Sequence, residues 1–182
     1  MRIKPFVVAS LVASVAGSLC SPQGSHAEGP CLNWIERHPA TSPSGRQIHE
    51  LAYDSARSVV VFFGGWGSSV LGDTWEWNGS NWTQAATTGP APRGENGLAY
   101  DSVAQRTFLF GGSNGTVDFD DMWKWDGTVW TSVPISGPKP SARHHGLMVY
   151  DSARNVLVLY GGRKGLDGSD PSNYNGETWE WD

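Results

Sequence analysis

Cysteine, charge and long apolar runs are all scarce in this chain. Its 182 residues include 2 Cys, too few for a disulfide framework or for a four-ligand zinc site made by cysteines alone. Charged residues make up 17%, which excludes a coiled coil or a charged disordered tail. Acidic residues outnumber basic ones by 18 to 13. A phosphate backbone asks for a basic surface, so no nucleic-acid partner is expected. The longest apolar run spans only 6–19. A membrane helix needs about 20 residues, so no membrane span is expected. Glycine and tryptophan are what the chain has in excess, at 23 and 10. Ordinary chains hold about 7% Gly. Their joint rise points to short strands and tight turns, an all-β chain.

The segment 1–27 reads as an address. Arg2 and Lys4 precede the apolar run, and Ser25-His26-Ala27 offers a small-x-small cleavage site. Leu19 stands ahead of Cys20, which argues against lipid attachment. The expectation is a signal peptide over 1–27, cleaved after Ala27, and a secreted, periplasmic or extracellular protein. Cleavage leaves Cys31 as a single thiol with no assigned role.

Beyond the leader the chain repeats itself. A diglycine follows an apolar run three times, at Gly64-Gly65, Gly111-Gly112 and Gly161-Gly162, with spacings of 47 and 50. Tyr53-Asp54-Ser55, Tyr100-Asp101-Ser102 and Tyr150-Asp151-Ser152 keep register with it, as do Arg46, Arg93 and Arg143. Downstream, Trp75-Glu76-Trp77, Trp123-Lys124-Trp125 and Trp179-Glu180-Trp181 recur, and Trp82 and Trp130 follow Trp75 and Trp123 at one fixed interval. Each unit reads as four strands, a to d. Asp starts the a–b turn by bonding the backbone two residues on. Strand b lacks alternation and is expected to be buried on both faces. Strand c has a period of two, with both Trp rings on one face. Asn78-Gly79 and Asp126-Gly127 suit a type I′ turn between c and d.

Gly64-Gly65 with Trp75 and Trp82, and Gly111-Gly112 with Trp123 and Trp130, resemble the kelch repeat. The resemblance covers about residues 32–182 and implies β-propeller blades of four strands packed around a channel. Blade 1 is expected over 44–90, blade 2 over 91–140 and blade 3 over 141–182. Blade 3 lacks a strand d, while the N-terminal segment 28–43 holds a spare one around Trp34, one repeat ahead of Trp82. Propellers have about 4–8 blades, so three blades form an incomplete propeller or half of a six-bladed ring. Asp182 aligns with Asn78 and Asp126 at the start of a turn, which favours further blades in a longer chain. A head-to-tail homodimer is the alternative.

The residues offer few candidates for chemistry. Arg46, Arg93 and Arg143 start strand a on one propeller face, where a ring of guanidinium groups could bind carboxylates or anionic sugars. Asp73, Asp121 and Glu177 recur at the same end of each blade, and pairing with the arginines explains the repetition without a ligand. His49 stands where the other units have Asn96 and Gly146, a break in symmetry that makes it a further ligand-binding candidate. His144 and His145, adjacent on a strand, should point to opposite faces and chelate poorly. Loop 163–176 is rich in oxygen ligands, but Pro171 spoils EF-hand spacing. Asn78, Asn81 and Asn114 head Asn-x-Ser/Thr sequons. No metal site, cofactor or catalytic set is expected.

These features favour an exported module that binds protein or carbohydrate through its d–a and b–c loops. The resemblance also admits a sugar-active enzyme, since some kelch propellers are copper galactose oxidases or sialic acid mutarotases. The oxidase needs a Cys-linked Tyr, which Cys31 alone, near the start of the mature chain, is poorly placed to supply. A metal-free isomerase using the arginines is the remaining enzymatic reading. A third reading is a fragment with no activity of its own.

Overall fold

The structure, a computed structural model, describes residues 33–165 and 170–182. The expected leader over 1–27, Cys20, Cys31 and residues 166–169 of the long loop lie outside the described residues. The chain divides into two units, 1–37 and 38–182. The described part of the first, residues 33–37, carries no strand, and Trp34 is exposed.

Among its described residues the second unit is all-β apart from one 3-10 turn at Pro171–Asn173. Its first sheet runs in order β1 (Glu50–Asp54), β2 (Val59–Trp66), β3 (Val70–Trp77) and β4 (Trp82–Ala86). The second repeats it with β5 (Gly97–Asp101), β6 (Arg106–Phe110), β7 (Met122–Trp125) and β8 (Trp130–Val133). The third has β9 (Leu147–Asp151), β10 (Val156–Tyr160) and β11 (Thr178–Trp181), three strands among the described residues. All pairings are antiparallel and in one register: Phe62 faces Trp75, Leu109 faces Trp123 and Leu159 faces Trp179. These are three blades of an incomplete propeller, as the repeat implies. Among the described residues no helix is long and apolar enough to cross a membrane.

The repeated residues explain the local structure. Asp54 Oδ1 accepts from the backbone N–H of Ala56 and Arg57 at 3.0 and 3.1 Å, and Asp101 and Asp151 do the same in their blades. Each a–b turn then ends on a left-handed residue, Ser58, Gln105 or Asn155. The c–d connection departs from the sequence expectation. A type I′ turn needs positive φ at both central residues, yet only Gly79 and Gly127 have it. The connection is a longer loop, closed by a side chain. Asn78 Oδ1 accepts from the N–H of Ser80 and Asn81, and Asp126 Oδ1 from Thr128 and Val129. The side-chain oxygen takes over the turn, and the strand ends are not forced into the tighter geometry.

The core lies between blades. Ala52, Val61 and Phe63 of the first blade pack on Leu98, Tyr100, Leu109, Trp125 and Trp130 of the second. Ala99, Phe108, Phe110 and Met122 of the second pack on Met148, Leu157 and Leu159 of the third. A β-strand buried on both faces reads as a continuous apolar run, and β2 and β6 are such strands. The first strands lie innermost, since β1 contacts β5 and β5 contacts β9. That arrangement brings the starts of strand a and the b–c loops to one face.

Candidate functional site at the loop face

The three arginines form the same clamp in each blade. Arg46 Nη1 donates to Asp73 Oδ1 at 2.5 Å and to the Gly64 carbonyl at 3.1 Å, while Nη2 reaches Asp73 Oδ2 at 3.0 Å. Arg93 holds Asp121 and the Gly111 carbonyl, and Arg143 holds Glu177 and the Gly161 carbonyl. Each carboxylate also accepts an indole N–H, from Trp75, Trp123 or Trp179, at 2.7, 2.7 and 3.0 Å. One side chain thereby ties the start of strand a, the diglycine after strand b and the start of strand c. The arginine side chains are 3%, 1% and 1% exposed. The structure places all three inside the scaffold, with their donors engaged.

Electrostatics follow this geometry. Burial pushes the Asp73 carboxyl up, but the bonds from Arg46 and Trp75 outweigh it and hold it below the usual carboxylate range. The same balance applies at Asp121, with Arg93 and Trp123. Glu177 is lowered chiefly by the Arg143 hydrogen bond.

The diglycines are required by this arrangement. Gly64 has φ +65°, and a Cβ there would stand 2.2 Å from the Arg93 carbonyl of the next blade. Gly65 N–H donates to that carbonyl, and Gly112 N–H donates to the Arg143 carbonyl. The clamp of one blade is thus stitched to the diglycine of the blade before it.

His49 is half-buried against Phe62, with ring centroids 4.6 Å apart. Burial, then the charge of Arg46, lowers its pKa. It neighbours Arg46 and is not gathered with any other candidate ligand.

Two residues after each clamp arginine, the backbone enters the left-handed region. Ile48, Glu95 and His145 have φ of 58°, 60° and 59°. Glu95 N–H donates to the Ile48 carbonyl and His145 N–H to the Glu95 carbonyl, so a hydrogen-bonded chain steps from blade to blade around the mouth. This corrects the expectation for His144 and His145. Strand β9 begins only at Leu147, and the left-handed turn at His145 breaks the alternation, so the two rings stand 5.0 Å apart on one side. Glu95 joins them, with Glu95, His144 and His145 offering ligand atoms within 4.8 Å of one another.

His144 is fully buried and engaged at both nitrogens. Its Nδ1 lies 2.8 Å from Asp118 Oδ1, and Arg163 Nε donates to its Nε2 at 2.7 Å. With Nε2 accepting, the proton sits on Nδ1 and is donated to Asp118. Asp118 also takes the Gly165 N–H, which fastens the b–c loops of the second and third blades together. A cation bound by His144 would have to displace Arg163. The group acts as a neutral latch between loops, with Glu95 and the half-exposed His145 on its open side.

The sequence holds one signal for this mouth: the residue two past each arginine changes character, Ile to Glu to His, while its surroundings repeat. The latch has no such signal, because Asp118 and Arg163 fall in loops of unequal length.

A family model described as the KLHDC2/KLHL20/DRC7 Kelch-repeats domain matches residues 31–182. The chain belongs to the kelch-repeat family. No curated protein matches it. Kelch blades are protein-interaction scaffolds, and the kelch clamp, diglycine and indole pair here occur in all three units. At the mouth the chemistry changes from blade to blade, with Ile48, Glu95 and His145 at one repeated position.

Proposed function

We propose that this kelch chain is an exported binding module that takes a protein segment, or a glycan, at the mouth formed by Ile48, Glu95, His145 and the b–c loops. One observation carries the reading. Three backbones of the same left-handed geometry present an aliphatic, an acidic and an imidazole side chain, on a framework otherwise repeated. Loops on a rigid repeat scaffold are where specificity is usually built. The leader-like residues 1–27 support export. An isomerase using Arg46, Arg93 and Arg143 on an anionic sugar loses its support, since those side chains are engaged in holding each blade's own strands together.

The test is a binding screen of the folded chain against extracellular proteins and glycans, repeated with the Glu95→Ala/His145→Ala double variant. A partner of this mouth should bind the variant at least about tenfold more weakly, a loss of about 1.4 kcal/mol. A partner that binds both equally contradicts the assignment. Protein and glycan hits separate the two ligand classes.

A further inference from the structure

The junction of the second and third blades carries, at the mouth, residues that the repeat does not need. Where the third blade has His144 and His145, the second has Gly94 and Glu95 and the first has Gln47 and Ile48. The first two blades therefore meet through Ile48, Gly94 and Glu95 at the places that Glu95, His144 and His145 take at the next junction. The scaffold closes there without an imidazole. Glu95 and His145 share the left-handed backbone, and the bond from His145 N–H to the Glu95 carbonyl sets them side by side.

The spacing is that of a three-ligand metal site. Glu95 Oε2 lies 3.3 Å from His145 Nδ1 and 3.8 Å from His144 Nε2. Zinc binds imidazole nitrogen and carboxylate oxygen at about 2.0–2.2 Å, so neighbouring ligands of a tetrahedral ion stand about 3.3–3.5 Å apart. One pair is already at that distance, and rotation of Glu95 and of the half-exposed His145 ring closes the rest. His144 is prepared for the role. It donates Nδ1–H to Asp118 at 2.8 Å, and a ligating histidine characteristically gives its other N–H to a carboxylate, which fixes the tautomer and leaves Nε2 for the metal. Asp118 is itself held by the Gly165 N–H.

Arg163 stands in the metal's place. Its Nε donates to His144 Nε2 at 2.7 Å, so a positive charge already sits on the lone pair that a cation would use. The carboxylates of Glu95 and Asp118 both face His144, and their side chains are only 15% and 9% exposed. Buried charge is costly unless it is compensated. One guanidinium balances one of these carboxylates, whereas a divalent ion balances both. The long Arg163 side chain can give up its place and turn its charged head to water.

We propose that Glu95, His144 and His145 bind a Zn²⁺ ion in exchange for Arg163, with the fourth position open to the mouth. The ion binds to the chain alone and needs no partner segment. In the metal-free form the group is the latch described above. In the metal-bound form His144 keeps its bond to Asp118, Nε2 passes from Arg163 to the ion, and the b–c loop of the third blade loses that tie. Zinc binding and the Arg163 latch are thus alternatives at one nitrogen atom.

The experiment is isothermal titration calorimetry of the full chain, stripped with a chelator, against zinc chloride at neutral pH. Far-UV circular dichroism checks that each variant folds. The wild type should take up one zinc with a Kd tighter than about 10 μM. His145→Ala, at a half-exposed ring, and Glu95→Gln should each bind at least about tenfold more weakly. Arg163→Met should bind several-fold more tightly, because the competing cation is gone. The Cys20→Ser/Cys31→Ser double variant should match the wild type, which separates this site from a thiolate one. A wild type that takes up no zinc, a ligand variant that binds as well as the wild type, Arg163→Met binding no more tightly, or loss of binding in the cysteine variant overturns the proposal.

Discussion

At the residue scale, the account rests on the arginine clamp. A carboxylate partner and the bonds to backbone carbonyls are lost together if one buried guanidinium is removed, and breaking a fully buried ion pair costs about 3–5 kcal/mol. Arg93→Met should sit at the lower end, about 3 kcal/mol, because Asp121 is partly exposed. Urea denaturation of the folded variant measures it. Gly64→Ala forces a Cβ toward the Arg93 carbonyl at a left-handed position and should cost at least about 2 kcal/mol. The acid response has a definite sign. Asp73 and Asp121 are held below their unfolded values, so their contribution is complete above the ordinary carboxylate range and is lost as the pH falls through the lower native values. Stability should therefore decline as the pH falls below the ordinary carboxylate range, and Asp73→Asn should flatten that slope in denaturant titrations at several pH values. The clamp is legible in the sequence because arginine and acid repeat in step. The turned His145 is not, since a positive φ at a non-glycine residue leaves no trace in a strand-like pattern.

At the element scale, the strand-d tryptophan of the second blade belongs to two blades. Trp130 begins β8, packs on Phe63 of the neighbouring blade at 5.4 Å between ring centroids, and bonds Thr74. Removing such a ring leaves a cavity and an unpaired hydroxyl, so Trp130→Ala should lose about 3–5 kcal/mol in equilibrium unfolding. Four-stranded blades, their order and the Asp-started turns are readable from spacing alone, since β-strand alternation and side-chain turns are local. The c–d loop is not. Asn-Gly suits a two-residue turn and also a longer loop with the Asn side chain bonding the backbone, and the choice depends on where strands c and d stop pairing. Trp34, which the repeat register assigns to a strand d, carries no strand in its described segment.

At the scale of the whole molecule, the glycine and tryptophan excess has a structural meaning. Glycine allows each clamp to meet the diglycine of the preceding blade, and tryptophan fills and bonds the junctions. Both internal junctions are packed with apolar side chains, and indole hydrogen bonds cross the first of them. The latch of Asp118, His144 and Arg163 could be found only with the structure, because its members lie in loops of unequal length. The most direct measurement is parallel urea denaturation of Arg46→Met, Arg93→Met and Arg143→Met beside the wild type. The account predicts that each variant is destabilised, because each guanidinium ties the same three points of its own blade. A variant as stable as the wild type would contradict it.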